Sequence, residues 1–240
     1  MTAPVRLFAL ADPHLSLARP KPMDVFGELW RDHAGRLAAA WDAAVGPDDV
    51  VLVAGDVSWA RTLAEAAPDL AYLAARPGRL KLLLRGNHDS WWGSAAKVRA
   101  ALPPTLAIMQ HEALRLPEGI VVCGTRGWNL PSTPWFDEER DPALYRREVE
   151  RLDLSLAEAS RLRLPGDRLV AMLHYPPLGP GDETSEVLER LAAAGVELAV
   201  YGHLHGEDHA WAPQGVRRGV ELRFVAVDYT GFAPVPLLER

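Results

Sequence analysis

The stretch Arg85-Gly86-Asn87-His88-Asp89-Ser90-Trp91-Trp92 follows directly on the apolar run Leu80-Lys81-Leu82-Leu83-Leu84. Four leucines in five positions read as a buried strand. Asn, His and Asp in direct succession at its exit are costly to hold there unless something satisfies each of them. The chain has only two Asn, and Gly-Asn-His-Asp has a chance expectation of roughly 0.0004 in a chain of this composition. The run therefore marks chemistry rather than packing.

Other strand-length apolar runs lie at 7–11, 50–54, 120–123, 169–173 and 198–201, with strand character returning at 220–227. Four of them end as the first does, on polar residues with ligand chemistry. Asp12-Pro13-His14 follows the run at 7–11, Gly55-Asp56 the run at 50–54, His174 the run at 169–173, and Gly202-His203-Leu204-His205 the run at 198–201. Ligand sites in open α/β sheets form at the carboxyl ends of strands, so side chains spread over most of the sequence are expected to converge. Helical periodicity fills the gaps. Leu37, Trp41 and Val45 share a face, as do Leu63, Ala66, Leu70 and Leu73; Tyr145, Val149, Leu152 and Leu156 follow an expected start at Asp141-Pro142, and Val187, Leu188 and Leu191 mark a fourth helix. Strand alternating with helix predicts an α/β fold with covered sheets. The chain reads as a single domain over 1–240, with a loop-plus-helix cap insertion around 126–156 near the site mouth.

Composition narrows the class. The 240 residues carry 26 Lys+Arg against 32 Asp+Glu, for a net charge of −6. That balance argues against a broad phosphate-tracking surface and leaves nucleic acid as a partner only in the role of substrate. No apolar run reaches the roughly 20 residues of a membrane span, and the start Met1-Thr2-Ala3-Pro4-Val5-Arg6 lacks a leader's basic and apolar regions. Cys123 is the only cysteine, which excludes a disulfide framework and a thiolate metal cage. A cytoplasmic location away from membranes is expected; oligomeric state stays open.

Asp, Asn and neutral His are oxygen and nitrogen ligands, suited to Mn²⁺, Fe, Zn²⁺ and similar ions. A pair of dications, two carboxylates and one bridging hydroxide sum to about +1, a charge that attracts a phosphate ester and stabilises it during attack.

The five motifs resemble, in their order and their placement at strand ends, those of the calcineurin-like binuclear metallophosphoesterases: D-x-H, G-D, G-N-H-D/E, H and G-H-x-H, from residue 12 to 205 with every ligand position filled. The resemblance implies a four-layer α-β-β-α sandwich with two mixed β-sheets. It implies that Asp12, His14, Asp56 and His205 hold one ion and that Asn87, His174 and His203 hold the other, with Asp56 bridging. It also implies His88 beside the metals as the group that assists the leaving alkoxide, with Asp89 orienting it. Two divalent ions are expected as cofactors, Mn²⁺ first, with Fe, Zn²⁺, Ni²⁺ or Co²⁺ as alternatives. The stretch Lys21-Pro22-Met23-Asp24-Val25-Phe26 and the Trp91-Trp92 pair are similar to a bacterial branch of predicted phosphohydrolases.

The expected reaction is hydrolysis of a phosphodiester by the bridging hydroxide. The alternatives are a phosphomonoesterase acting on small metabolites or phosphoproteins, and a non-catalytic scaffold on the same fold, which typically lacks a ligand that is present here. Arg85, Arg126, Trp128 and Tyr175 are candidate substrate contacts. Trp59, Trp91, Trp92 and Trp135 either stack on a substrate ring or, as tryptophans near loops more often do, pack beneath those loops. His209 reads as solvated, and His33 and His111 carry no motif.

Overall fold

The computed structural model describes residues 5–239; residues 1–4, read above for a leader, and residue 240 lie outside the described residues. In chain order the elements are β1 (Arg6–Leu10), α1 (His33–Ala44), β2 (Val50–Val53), α2 (Leu63–Ala74), β3 (Leu80–Leu84), α3 (Ala95–Ala101) and β4 (Leu106–Met109). They continue with β5 (Leu114–Leu116), β6 (Ile120–Cys123), α4 (Asp141–Leu162), β7 (Arg168–Met172), α5 (Glu186–Ala193), β8 (Leu198–Tyr201), β9 (Gly215–Arg217), β10 (Val220–Phe224) and β11 (Val235–Glu239). Two compact units result: the residues up to Ile108 together with those from Val225 onward, and Met109–Phe224. The chain thus has the mixed α/β class with two mixed sheets that the sequence leads one to expect.

The sheet of the first unit has the order β11-β1-β2-β3-β4. β1, β2 and β3 are parallel, and β11 returns antiparallel along β1. Leu7, Phe8, Leu10, Val50, Val51, Leu52 and Val53 are all buried, which is why these strands read as continuous apolar runs. Leu37 and Trp41 of α1 and Ala66, Leu70 and Leu73 of α2 join one cluster with Val51, Val53 and Leu83. Each large side chain moved out of water there contributes roughly 1.5–3 kcal/mol. Lys81 is buried as well, but its ammonium donates to the carbonyls of Ala74 (3.3 Å) and Gly78 (3.0 Å). A lysine among leucines is tolerated because its head meets oxygen.

The sheet of the second unit has the order β5-β6-β7-β8-β10-β9. Its four inner strands are parallel and its two edges antiparallel. α4 lies along β5 and β6 and buries Val149, Leu152, Leu156 and Ala159. Within that face the Ser155 hydroxyl accepts from the Gly124 N–H (2.8 Å) and donates to the Glu112 carbonyl (2.7 Å). The segment 126–156 is therefore an irregular loop followed by a helix that lies on its own unit's sheet. α4 begins where its sequence suggests, although Arg140 is the cap and the Asp141 carboxylate accepts from the Asp137 N–H (3.1 Å) and Asn129 Nδ2 (3.2 Å). The Ser185 hydroxyl caps α5 by accepting from the Leu188 N–H at 3.0 Å.

The strand expected over 220–227 is split. β10 ends at Phe224, and Ala226 then forms a parallel bridge with Ala11 in the first unit. The Ala11 N–H donates to the Val225 carbonyl (2.8 Å), and the Val227 N–H donates back to the Ala11 carbonyl (3.0 Å). Cys123 is buried in β6, and burial pushes its thiol up to about 12. Among the described residues no helix is long and apolar enough to cross a membrane.

Candidate metal centre

In the first unit the segments leaving β1 and β2 are tied to each other. The Asp12 N–H donates to the Gly55 carbonyl, the His14 N–H to the Asp56 carbonyl and the Leu15 N–H to the Val57 carbonyl, each at 3.0 Å. This zipper holds Asp12, His14 and Asp56 at φ of 62°, 46° and 52°. Side chains other than glycine seldom occupy that left-handed region, which persists only where the surroundings over-determine it, and it concentrates at functional sites. All three side chains are buried.

The exit of β3 closes on the same place. A Cβ at Gly86 would lie 2.0 Å from Asp56 Oδ1 and 2.3 Å from the Asp56 backbone nitrogen. Position 86 therefore admits glycine alone, because the two loops are in van der Waals contact. The His88 N–H donates to Asp56 Oδ1 at 2.8 Å. Asp89 is fully buried and accepts from three donors: the Ser58 N–H (3.0 Å), the Gly86 N–H (2.8 Å) and Trp91 Nε1 (2.9 Å). The His88 ring is not among these partners; it lies 4.4 Å from the Trp59 ring and 5.6 Å from that of His14. Asp89 thus braces the loop that carries His88, a different task from orienting the imidazole. Burial, and then the nearby Asp56 charge, push the Asp89 carboxyl up to about 7 against the three hydrogen bonds that lower it.

His14 stacks on Trp59 at 4.8 Å and 18° and meets Trp30 edge-on at 5.9 Å. Its Nε2 is 3.8 Å from Asp56 Oδ2. Two ligands each about 2.1 Å from one ion stand at such a separation. Two buried carboxylates, an imidazole nitrogen beside them and no sulfur make a donor set that fits a hard or borderline divalent cation.

The second unit carries the remaining candidate histidines. His174 is buried at the end of β7, and its N–H and that of Tyr175 both donate to the Arg126 carbonyl (3.1 and 2.9 Å). The Gly202 N–H donates to the His174 carbonyl at 3.1 Å, which joins the exits of β7 and β8. His203 sits at φ 76°, its ring 5.1 Å from that of His174 and 3.9 Å from that of Tyr175. His203 and His205 are half-buried.

The candidate substrate contacts have distinct settings. The Arg126 guanidinium is held by buried Glu148 at 3.3 Å and lies 4.6 Å over the Trp128 ring. Trp128 is also 5.3 Å from Tyr175. Arg85 is half-buried at the end of β3, and its Nε has no hydrogen-bond partner among the described residues. Trp91 and Trp92 are buried in the core of the first unit.

Two supporting residues escape a reading of motifs. His33 Nε2 donates to the His14 carbonyl at 3.3 Å, a long-range contact that no local pattern announces. Asp69, fully buried, accepts from the Leu17 N–H at 2.8 Å and from the Ser58 hydroxyl. Its position did carry a signal, because it lies three residues after Ala66 and four before Leu73, on the apolar face of α2.

A sequence profile of the calcineurin-like phosphoesterases matches residues 5–207, and the chain belongs to that family. It is 37% identical over 79 residues to the Gene 66 protein of Mycobacterium phage L5, covering 33% of this chain and 37% of the phage protein. The Gene 66 protein of Mycobacterium phage D29 is 48% identical over 58 residues, 24% of this chain and 28% of that protein. The likeness thus spans about a third of the length of these curated relatives. Among solved structures, the protein of unknown function AQ665 from Aquifex aeolicus superposes with a TM-score of 0.53 at 15% identity, over 97% of this chain and 95% of that one. This similarity concerns the fold.

Proposed function

We propose that this phosphoesterase hydrolyses phosphodiesters at a binuclear centre. Asp12, His14, Asp56 and His205 would hold one divalent ion, and Asn87, His174 and His203, together with Asp56, would hold the second. When bound, the ions supply Lewis-acid charge and a water acidic enough to attack phosphorus at neutral pH. The protein's own part is to place the reacting groups. Asp56 is fixed by the His88 N–H, so its carboxylate cannot swing away from the imidazole of His14. The solvent-facing His88 ring hands a proton to the departing oxygen, and Arg85 offers a cation to the ester's non-bridging oxygens. Within the second unit, Arg126 acts through its backbone, which sets His174 and Tyr175.

The observation that carries this reading is the set of three buried, left-handed ligand residues whose loops are bonded to one another, with His14 and Asp56 at 3.8 Å. The diester preference rests on charge: a site near +1 matches a singly charged ester best. Assays with Mn²⁺ on bis-p-nitrophenyl phosphate and p-nitrophenyl phosphate test it. The diester is expected to give the higher kcat/KM, with loss of activity in EDTA and recovery on adding metal. Faster turnover of the monoester would assign a phosphomonoesterase instead.

A further inference from the structure

The first unit contains a cavity of about 460 Å³ whose walls include Arg19, Lys21, Arg61, Trp59 and His88. That volume suits a ligand far larger than one phosphate group. Three cations face it. Among the described residues no carboxylate pairs with the side chains of Arg19, Lys21 or Arg61. Two acids also line it, but both are engaged. Glu65 accepts from the Arg61 N–H at 2.9 Å, and buried Asp69 takes the Leu17 N–H and the Ser58 hydroxyl. Three cations against two acids leave the lining with a formal excess of one positive charge, carried by side chains that no carboxylate pairs.

Its geometry selects the kind of group it receives. The Lys21 ammonium lies 2.9 Å from the centre of the Trp59 ring, a cation–π contact that fixes it at the wall. The loop bearing it is pinned by the Lys21 N–H donating to Ser16 Oγ at 3.1 Å. The Trp59 indole is further occupied by His14, stacked at 4.8 Å, and donates from Nε1 to Met23 Sδ at 3.2 Å. A base-stacking platform needs a bare ring, and this one is taken. What remains on offer is positive charge and the hydroxyl of Ser90. His88 belongs both to this wall and, at 5.6 Å, to the surroundings of His14. His88 therefore stands on the border between the candidate ligand His14 and this cavity.

We propose that the cavity is the leaving-group subsite and that the substrate is a phosphodiester whose leaving group carries a phosphate of its own, bound by Arg19, Lys21 and Arg61. This deepens the function proposed above and rests on it. The reaction remains hydrolysis: the oxygen of water bonds to phosphorus, the bond from phosphorus to the leaving oxygen breaks, and that oxygen takes up a proton. The terminal phosphate recognised by the three cations is untouched.

The test has two arms. In the first, kcat/KM is measured with thymidylyl-thymidine and with the same dinucleotide phosphorylated at its 5′ or its 3′ end. Wild-type protein is expected to prefer one phosphorylated form at least about tenfold, and the Arg19→Ser/Lys21→Ser double variant to bring that ratio near one, as loss of charge-assisted contacts implies. In the second, inorganic pyrophosphate is titrated calorimetrically into EDTA-treated protein, where no metal contributes. Affinity is expected to fall at least about tenfold in the double variant, and also in Arg61→Ser should the double variant not fold. A selectivity ratio or a pyrophosphate affinity equal to wild type would overturn the subsite. Pyrophosphate binding lost in the variants, with no dinucleotide cleaved by wild type, would overturn the reaction assigned above and the leaving-group role with it.

Discussion

The two units equip their ligand residues differently. In the first, the proposed ligands Asp12, His14 and Asp56 are fully buried, held at left-handed φ and braced by a second layer made of Asp89, Ser58, Asp69 and His33, while Asn87 is half-buried. In the second, all are histidines, two of them half-buried, supported by backbone hydrogen bonds and by Tyr175. Both carboxylates, and three of the four left-handed residues among these, lie on one side. Histidines need only be presented at the right place, whereas packed carboxylates repel one another until a cation arrives. The first unit should accordingly depend more on metal and tolerate substitution less.

The strongest way to break this comparison is Asp56→Asn. It removes the carboxylate that ties His14 to the His88 loop, and kcat/KM is expected to fall on the order of 10³-fold or more. Elemental analysis should show the metal pair depleted; two ions per chain in the variant would contradict a shared role for Asp56. His88→Ala comes next. It lacks the proton donor but no ligand, so activity drops roughly 10²–10⁴-fold while metal content stays at the wild-type level. Loss of metal there would make His88 a ligand.

Smaller effects sharpen the contrast. Asp89→Asn disturbs the bracing of the His88 loop and is expected to weaken metal affinity about 10–100-fold. Tyr175→Phe, which leaves its ring against His203 in the second unit, should change that affinity much less. Competition titrations with a chelating dye would measure both, and equal losses would erase the asymmetry.

The smallest expected effect concerns stability. Burial pushes Asp49 up, but the Arg6 side chain at 2.7 Å and the Gly46 and Arg6 N–H groups outweigh it and hold the carboxyl below its usual value. Asp49 therefore stabilises the fold above the unfolded carboxylate pKa of about 4, and this contribution disappears as pH falls through its folded value. Asp49→Asn should lose about 1 kcal/mol at pH 7, modest because Arg6 is partly exposed and water screens the pair. Denaturant titrations at pH 7 and in acid should show the deficit shrinking as pH drops. A deficit unchanged at low pH would mean that shape rather than charge is what Asp49 supplies.

Much of this molecule was legible before any coordinates. Runs such as 80–84, 120–123 and 198–201 match their strands because inner parallel strands are apolar on both faces. The ligand candidates stand at strand exits because each motif follows its run directly. Less visible were β5, β9 and β11, short or edge strands whose partners are settled by long-range pairing. The break at 224 was equally hidden, since the next residues stay apolar while bonding to Ala11. The task of Asp89 was misjudged for a related reason. Adjacency to His88 suggested a partner, but successive side chains in a tight turn point apart, and the carboxylate found Ser58, Gly86 and Trp91 instead.

Cys123 has a practical consequence. A solitary thiol with no exposed surface, its pKa pushed up to about 12, stays inert toward alkylating reagents while β6 remains paired with β7. The rate at which such a reagent couples to native protein therefore clocks the opening of the second unit. Fluorophores attached through cysteines engineered elsewhere would report without interference from it.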